Sequence, residues 1–256
     1  MQQSFVLALA VLTGTFSGSY ALQTGAPSVA STLAISPAPG GLTRLDFVQR
    51  RGPAVVRRYA LDMTRLMHVI VVADDFSSFA HLHPRLMPNG HFVVDAAMPL
   101  GPYRVYADSE PVGIGQQVFR FDVGANAAFV RVVPSGPVAQ AGPYTVRLSA
   151  TRIRTGTGAT VGVTILKNGR PATDLKPYLG AAGHAVFVNA SDYSYAHVHP
   201  MDAGATMPGM AMAAGGHTGS RLMLHPSIRE PGLYELWFEF RGRDRVEVAH
   251  FVVTVG

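Results

Sequence analysis

The sequence predicts an all-β chain built as two tandem β-sandwich domains related by internal duplication, and three observations predict it. The first is a repeat. Met67–Pro84, MHVIVVADDFSSFAHLHP, recurs without a gap as Gly183–Pro200, GHAVFVNASDYSYAHVHP, an offset of 184 − 68 = 116. Self-similarity of that length marks a duplicated structural unit before any strand is assigned. The second is a succession of strand-length apolar or alternating runs with no sustained helical period, among them LTRLDFVQ, HVIVVAD, FAHLHP, YRVYAD, QVFRFDV, TVGVTIL, HAVFVNA, YAHVHP, YELWFEF and VEVAHFVVTV. The third is punctuation by turn pairs such as Asn89-Gly90, Asn168-Gly169 and Pro231-Gly232. About seven strands per half, interrupted by Gly or Pro at sandwich-like intervals, point to domains of immunoglobulin-like or cupredoxin-like type.

The repeat also sets the domain boundaries. Upstream of its core, LDFVQRRGPA from Leu45 lies over VGVTILKNGR from Val161. Downstream, GPYRVYAD from Gly101 matches GLYELWFEF from Gly232, and VFRFDV from Val118 matches HFVVTV from His250. There the offset has grown to about 131, since 232 − 101 = 131 and 250 − 118 = 132, so the second copy carries roughly fifteen extra residues after Pro200. The expected domains are 43–125 and 126–256, the second with a Met/His-rich loop over 201–220, MDAGATMPGMAMAAGGHTGS. A chain of 256 residues is long enough for two separate cores.

Residues 1–21 contain the apolar run SFVLALAVLTGTF and close on Ser19-Tyr20-Ala21, small residues where a signal peptidase reads. This segment reads as an export signal, which places the protein in the periplasm or outside the cell. The run is short for a membrane span, and no Lys or Arg precedes Arg44, a departure from the usual basic start. Residues 22–42, with GAPSVASTLAISPAPGG, read as a flexible lead. The chain has no cysteine, which excludes disulfides, Cys-ligated zinc and blue-copper chemistry. Its formal charge of +5 comes from arginines such as Arg50, Arg51, Arg57, Arg58 and Arg65. They are scattered along strands, which argues for a solvated face rather than nucleic-acid binding and allows at most peripheral contact with an anionic membrane. An envelope protein partner remains compatible.

What the repeat preserves, beyond apolar pattern, is imidazole spacing: His68, His81, His83 and Pro84 reappear as His184, His197, His199 and Pro200. A hairpin turning at Asp74-Asp75 sets His68 directly opposite His81, and His83, two residues on, shares the face. Three imidazoles then converge in each copy, a ligand set suited to copper, or to zinc as the alternative. The inserted loop adds Met207, Met210 and Met212, thioethers that suit Cu(I), with Met201 and His217 nearby. Met63 and Met67 flank the first triplet, where packing is the expected role. The competing reading is that each histidine is a hydrogen-bonded brace, as buried polar groups usually are.

The segments RPATDLKPYLGAAGHAVFVNASDYSYAHVHP and PGLYELWFEFRGRDRVEVAHFVVTV, with AHLHP, GPYRVYAD and GQQVFRFDV in the first half, resemble a largely uncharacterised family of bacterial exported tandem-repeat β-sandwich proteins. Its LGAxxHxVxxN and HVHP elements fall on Leu179–Asn189 and His197–Pro200. The resemblance implies an envelope or secreted location and an association with heavy metals, copper above all. It implies no established activity.

Support for catalysis is weak: the chain has no GxSxG elbow, phosphate-cradling glycine loop or HExxH helix. Asp75, Asp174 and Asp192 read as turn residues or as partners orienting a histidine. The expected function is therefore copper sequestration or delivery through the two His triplets and the Met loop. The alternatives are a metal-free binding module with structural histidines, and a copper-dependent redox enzyme.

Overall fold

The computed structural model describes residues 13–21, 27–98, 101–124, 133, 135–202 and 218–256. They form β-strands throughout, with one 3-10 turn at Pro39–Gly41 and no α-helix among them. The strands divide between two compact units. The first takes the described residues of Met1–Tyr20, Ala26–Ala60 and Leu66–Ala128; the second takes those of Ala21–Gly25, Leu61–Arg65 and Phe129–Gly256.

In the first unit one sheet runs Gly14–Ser17, Ala30–Ala38, Leu42–Arg51, Phe92–Ala96, Arg85–Leu86, and the other Ser19–Tyr20, Gln117–Val123, Tyr103–Pro111, Met67–Ala73, Phe79–Leu82. Strand alternation sends every second side chain inward. Leu33, Ile35, Leu45, Phe47 and Phe92 from the first sheet and Val69, Val71, Val105, Phe119 and Phe121 from the second form one buried cluster. Phe47 meets Phe121 edge-on at 5.8 Å between ring centres, a favoured aromatic geometry.

The second unit has a corresponding order, except that its edge strand Arg152–Ile153 pairs parallel where Ser19–Tyr20 pairs antiparallel. One sheet runs Val138–Ala141, Tyr144–Leu148, Val161–Lys167, Arg221–Leu224, Met201–Asp202; the other runs Arg152–Ile153, Val246–Val255, Gly232–Arg241, His184–Asn189, Tyr195–Val198. Its core joins Val146, Val163 and Leu222 to Phe187, Phe238 and Phe251. The all-β sandwich expected from sequence is what the chain adopts.

One N-terminal expectation is corrected. The segment 22–42, read as a flexible lead, contains the nine-residue strand Ala30–Ala38, paired along its whole length with Leu42–Arg51. Its alternation was masked by small residues: Ser31, Leu33 and Ile35 point inward, whereas Ala30, Ala34 and Ser36 face outward. The end of the segment read as an export signal is also built into the sheets, with Gly14–Ser17 pairing to Ala30–Ala38 and Ser19–Tyr20 to Gln117–Val123. No helix among the described residues is long and apolar enough to cross a membrane.

One position shows how tightly the second histidine strand is packed. A Cβ placed on Gly183 would lie 2.5 Å from the Glu239 carbonyl oxygen. Gly183→Ala is therefore expected to cost about 1–3 kcal/mol by overpacking. The check is a lower urea midpoint at unchanged slope.

Candidate metal centre

The histidines sit on the sheet faces turned away from the cores, as parity requires. Met67, Val69 and Val71 enter the first core, with Ala80 and Leu82 against it; His68 and His81 therefore face the other way. Likewise Ala185 and Phe187 are core residues with Ala196 and Val198 packed against them, leaving His184 and His197 on the outer face. His68 and His184 are fully buried, while His81, His83, His197 and His199 are half-buried.

The expected register is wrong by one pleat. His81 pairs with Ile70 rather than His68, and Leu82 pairs with Val69. The second copy does the same, with His197 opposite Val186 and Val198 opposite Ala185. The cause is a longer loop: Ala73 N–H donates to Ser78 O at 3.1 Å, and Asn189 N–H to Ser194 O at 2.9 Å, leaving four residues in each turn instead of two. A slip of two residues preserves facing, because the side-chain period is two. The rings still converge.

In the first unit the ring centres of His68 and His81 lie 5.1 Å apart, His68 and His83 5.1 Å, and His81 and His83 4.6 Å. In the second, His184 and His197 lie 5.2 Å apart, His184 and His199 4.8 Å, and His197 and His199 4.6 Å. His68 Nδ1 is 2.9 Å from His81 Nε2, and His184 Nδ1 is 3.0 Å from His197 Nε2. Two nitrogens each about 2.0–2.1 Å from a shared ion stand about 3 Å apart when they bind at right angles. The same spacing is also that of an N–H···N hydrogen bond.

The second unit fixes one tautomer. His184 Nε2 lies 3.2 Å from the Tyr178 carbonyl, which can only accept, so Nε2 carries the proton and Nδ1 presents a lone pair. His197 Nε2–H then donates to that lone pair. Ion binding requires His197 to carry its proton on Nδ1 instead. A ligand histidine anchored through its far nitrogen to a main-chain oxygen is the usual support for a metal site. The Tyr178 ring also meets His184 edge-on at 5.3 Å. Burial first, and then the Glu239 carboxylate, push the Tyr178 phenol upward, so it stays neutral.

Two acidic side chains missed in the sequence reading belong to this surroundings. Asp108 is the cross-strand partner of His68, and Glu239 that of His184. Paired residues share a face with Cβ atoms about 5 Å apart. Both carboxylates are buried, and Gln116 Nε2 donates to Asp108 at 2.9 and 3.1 Å. The signal was present: Asp108 and Glu239 align in GPYRVYAD and GLYELWFE. Asp75 and Asp192, by contrast, serve their turns. Asp75 accepts from Ser77, which holds its carboxyl below the usual range, and Asp192 accepts from Ser194 N–H at 2.8 Å. Asp174 takes Tyr144 O–H at 3.0 Å and the Lys167 ammonium.

A third acid, Asp62, also lies at the second triplet. It belongs to the second unit, and the donor atoms of Asp62, His197 and His199 all fall within 4.8 Å of one another. Met67 is core. Met207, Met210, Met212 and His217 lie outside the described residues; the strand Met201–Asp202 that leads to them begins two residues after His199 and pairs with Arg221–Leu224. The histidine groups can hold a metal ion.

Comparison with known proteins gives a family match without a function. A family model described as "Domain of unknown function (DUF8832)" matches residues 139–256, within the second unit and less than half of the chain. No curated protein matches the chain.

Proposed function

We propose that the protein binds a transition-metal ion, copper by preference or zinc, and that it stores or delivers the ion in the bacterial envelope. The observation that carries this reading is the convergence of three imidazoles in each unit, with one nitrogen pair in each at 2.9–3.0 Å. Nitrogen-only sets with an open position suit Cu(II) and Zn(II). His184, His197 and His199 are the primary ligands; His68, His81 and His83 form the corresponding set. Met207, Met210 and Met212 serve as soft donors when the ion is Cu(I).

Saturating Cu(II) or Zn(II) is expected to be retained through dialysis and to raise stability by about 2.7 kcal/mol at a free concentration a hundred times Kd. Chelation should return the melting curve to its starting point. A metal-free chain with the same curve at every Cu(II) and Zn(II) concentration would sink the reading.

One observation favours a second reading. The 2.9 and 3.0 Å nitrogen pairs match ordinary hydrogen bonds, so the histidines would brace each hairpin in a binding module for an envelope partner. The same titration separates the two.

Export, the remaining part of the proposal, has its own test. Cleavage after Ala21 would remove both N-terminal edge strands and leave Ala30–Ala38 at the sheet edge. Mass spectrometry of protein recovered from the envelope is expected to show the shortened chain; an intact Met1 there would refute processing.

A further inference from the structure

We propose that Asp62 is a metal ligand, giving the second-unit site a carboxylate oxygen alongside His197 and His199. This inference rests on the metal-binding reading and specifies the donor set of that same site. It adds an oxygen donor to a set otherwise built of nitrogen.

Three features carry it. First, Asp62 Oδ1 is 3.9 Å from His199 Nδ1. That separation is beyond a hydrogen bond between these two atoms; donors bound at about 2.1 Å at a tetrahedral angle stand about 3.4 Å apart, so closing by about half an ångström brings both onto one ion. Second, the donor atoms of Asp62, His197 and His199 are mutually within 4.8 Å. Third, the carboxylate is presented on a closed tight turn: Asp62 N–H donates to Arg65 O at 2.8 Å, and Arg65 N–H returns to Asp62 O at 3.0 Å. Met63 holds a left-handed φ of 54° inside it. A short turn closed at both ends fixes the backbone from which the carboxylate projects, which lowers the ordering cost of ligation.

The chemistry separates the two triplets. At the first, His68, His81 and His83 supply nitrogen alone. At the second, Asp62 adds a carboxylate oxygen to the imidazoles of His184, His197 and His199, a mixed nitrogen–oxygen set that suits Zn(II), Co(II) or Fe(II). The repeat does not supply this difference. Asp62 aligns with Tyr178 at the common offset, since 178 − 62 = 116, so the repeat places no carboxylate at the matching position.

The test uses the full chain and Co(II), whose visible spectrum reports its donors, with Zn(II) competition for affinity. Asp62→Asn keeps the turn and is expected to weaken Co(II) and Zn(II) binding about tenfold or more, since even groups behind the ligands cost that much. Its Co(II) bands should shift. Asp62→Glu, which keeps the carboxylate, should restore part of the affinity. In a His197→Ala chain, Asp62→Asn should add little, because coupled ligands are not additive. Unchanged affinity and spectrum in Asp62→Asn would overturn the assignment, as would weaker binding with unshifted bands. A wild-type chain that takes up no metal instead defeats the proposed function itself.

Discussion

A chain carrying His197→Ala and His199→Ala is expected to lose at least about a hundredfold in metal affinity at the second-unit site, read by equilibrium dialysis against Cu(II) and Zn(II). The figure is a floor, because replacing partners that merely orient a ligand already costs 10–100-fold. These two positions make the cleaner test. Both are half-buried on the outer face of the short strand Tyr195–Val198 and its exit, so truncation leaves the core intact and should change metal-free stability by only about 1 kcal/mol. His184→Ala would confuse the result. His184 is fully buried and caps the Tyr178 carbonyl, so its loss opens a cavity and orphans an acceptor whether or not metal binds. If the double variant takes up metal as the wild type does, the imidazoles are braces.

Arg104→Met is expected to destabilise the chain by about 3–5 kcal/mol, because it leaves a buried carboxylate without its partner. Arg104 Nη2 lies 2.6 Å from Asp74 Oδ1, with side-chain exposures of 4% and 2%. The pair closes the turn of the first histidine hairpin: Arg104 sits opposite Val72, and Asp74 N–H donates to Pro102 O at 3.0 Å. Asp122, also held by Arg104, is 43% exposed and can be solvated alone. The second copy shows that the ion pair is dispensable in principle. Ala190 stands where the first copy has Asp74 and Glu235 where it has Arg104, and its turn is braced by Asn189, whose Oδ1 accepts from Ser191 N–H at 2.8 Å. Combining Arg104→Met with Asp74→Ala should therefore recover most of the loss, since removing both charges avoids the orphan. Urea unfolding of the single and double variants decides this. A double variant as unstable as the single would show that the cost lies in packing of the arginine stem.

The site was legible to the extent that it depends on strand parity. His68, His81 and His83 share a face under any even shift of register, so their convergence survived a turn placed one pleat too early. The register itself was not legible, because Asp74-Asp75 looks like a complete two-residue turn and the actual loop runs on through Phe76 and Ser77, with Phe76 at φ 60°. Ala30–Ala38 was missed for a related reason. Its outward Ala and Ser residues look like linker composition, and only the inward Ser31, Leu33 and Ile35 show that it is a strand.

The sequence by itself determined the β class, the repeat and the side of the sheet on which the imidazoles stand, because alternation is a property of neighbouring residues along one strand. Tertiary structure decided which acids face them, although the alignment of Asp108 with Glu239 was already visible in the repeat. Asp108 and Glu239 reach His68 and His184 through pairing between strands, and Asp62 reaches His199 across 199 − 62 = 137 positions. Such meetings depend on how distant segments pack, and no local period records that.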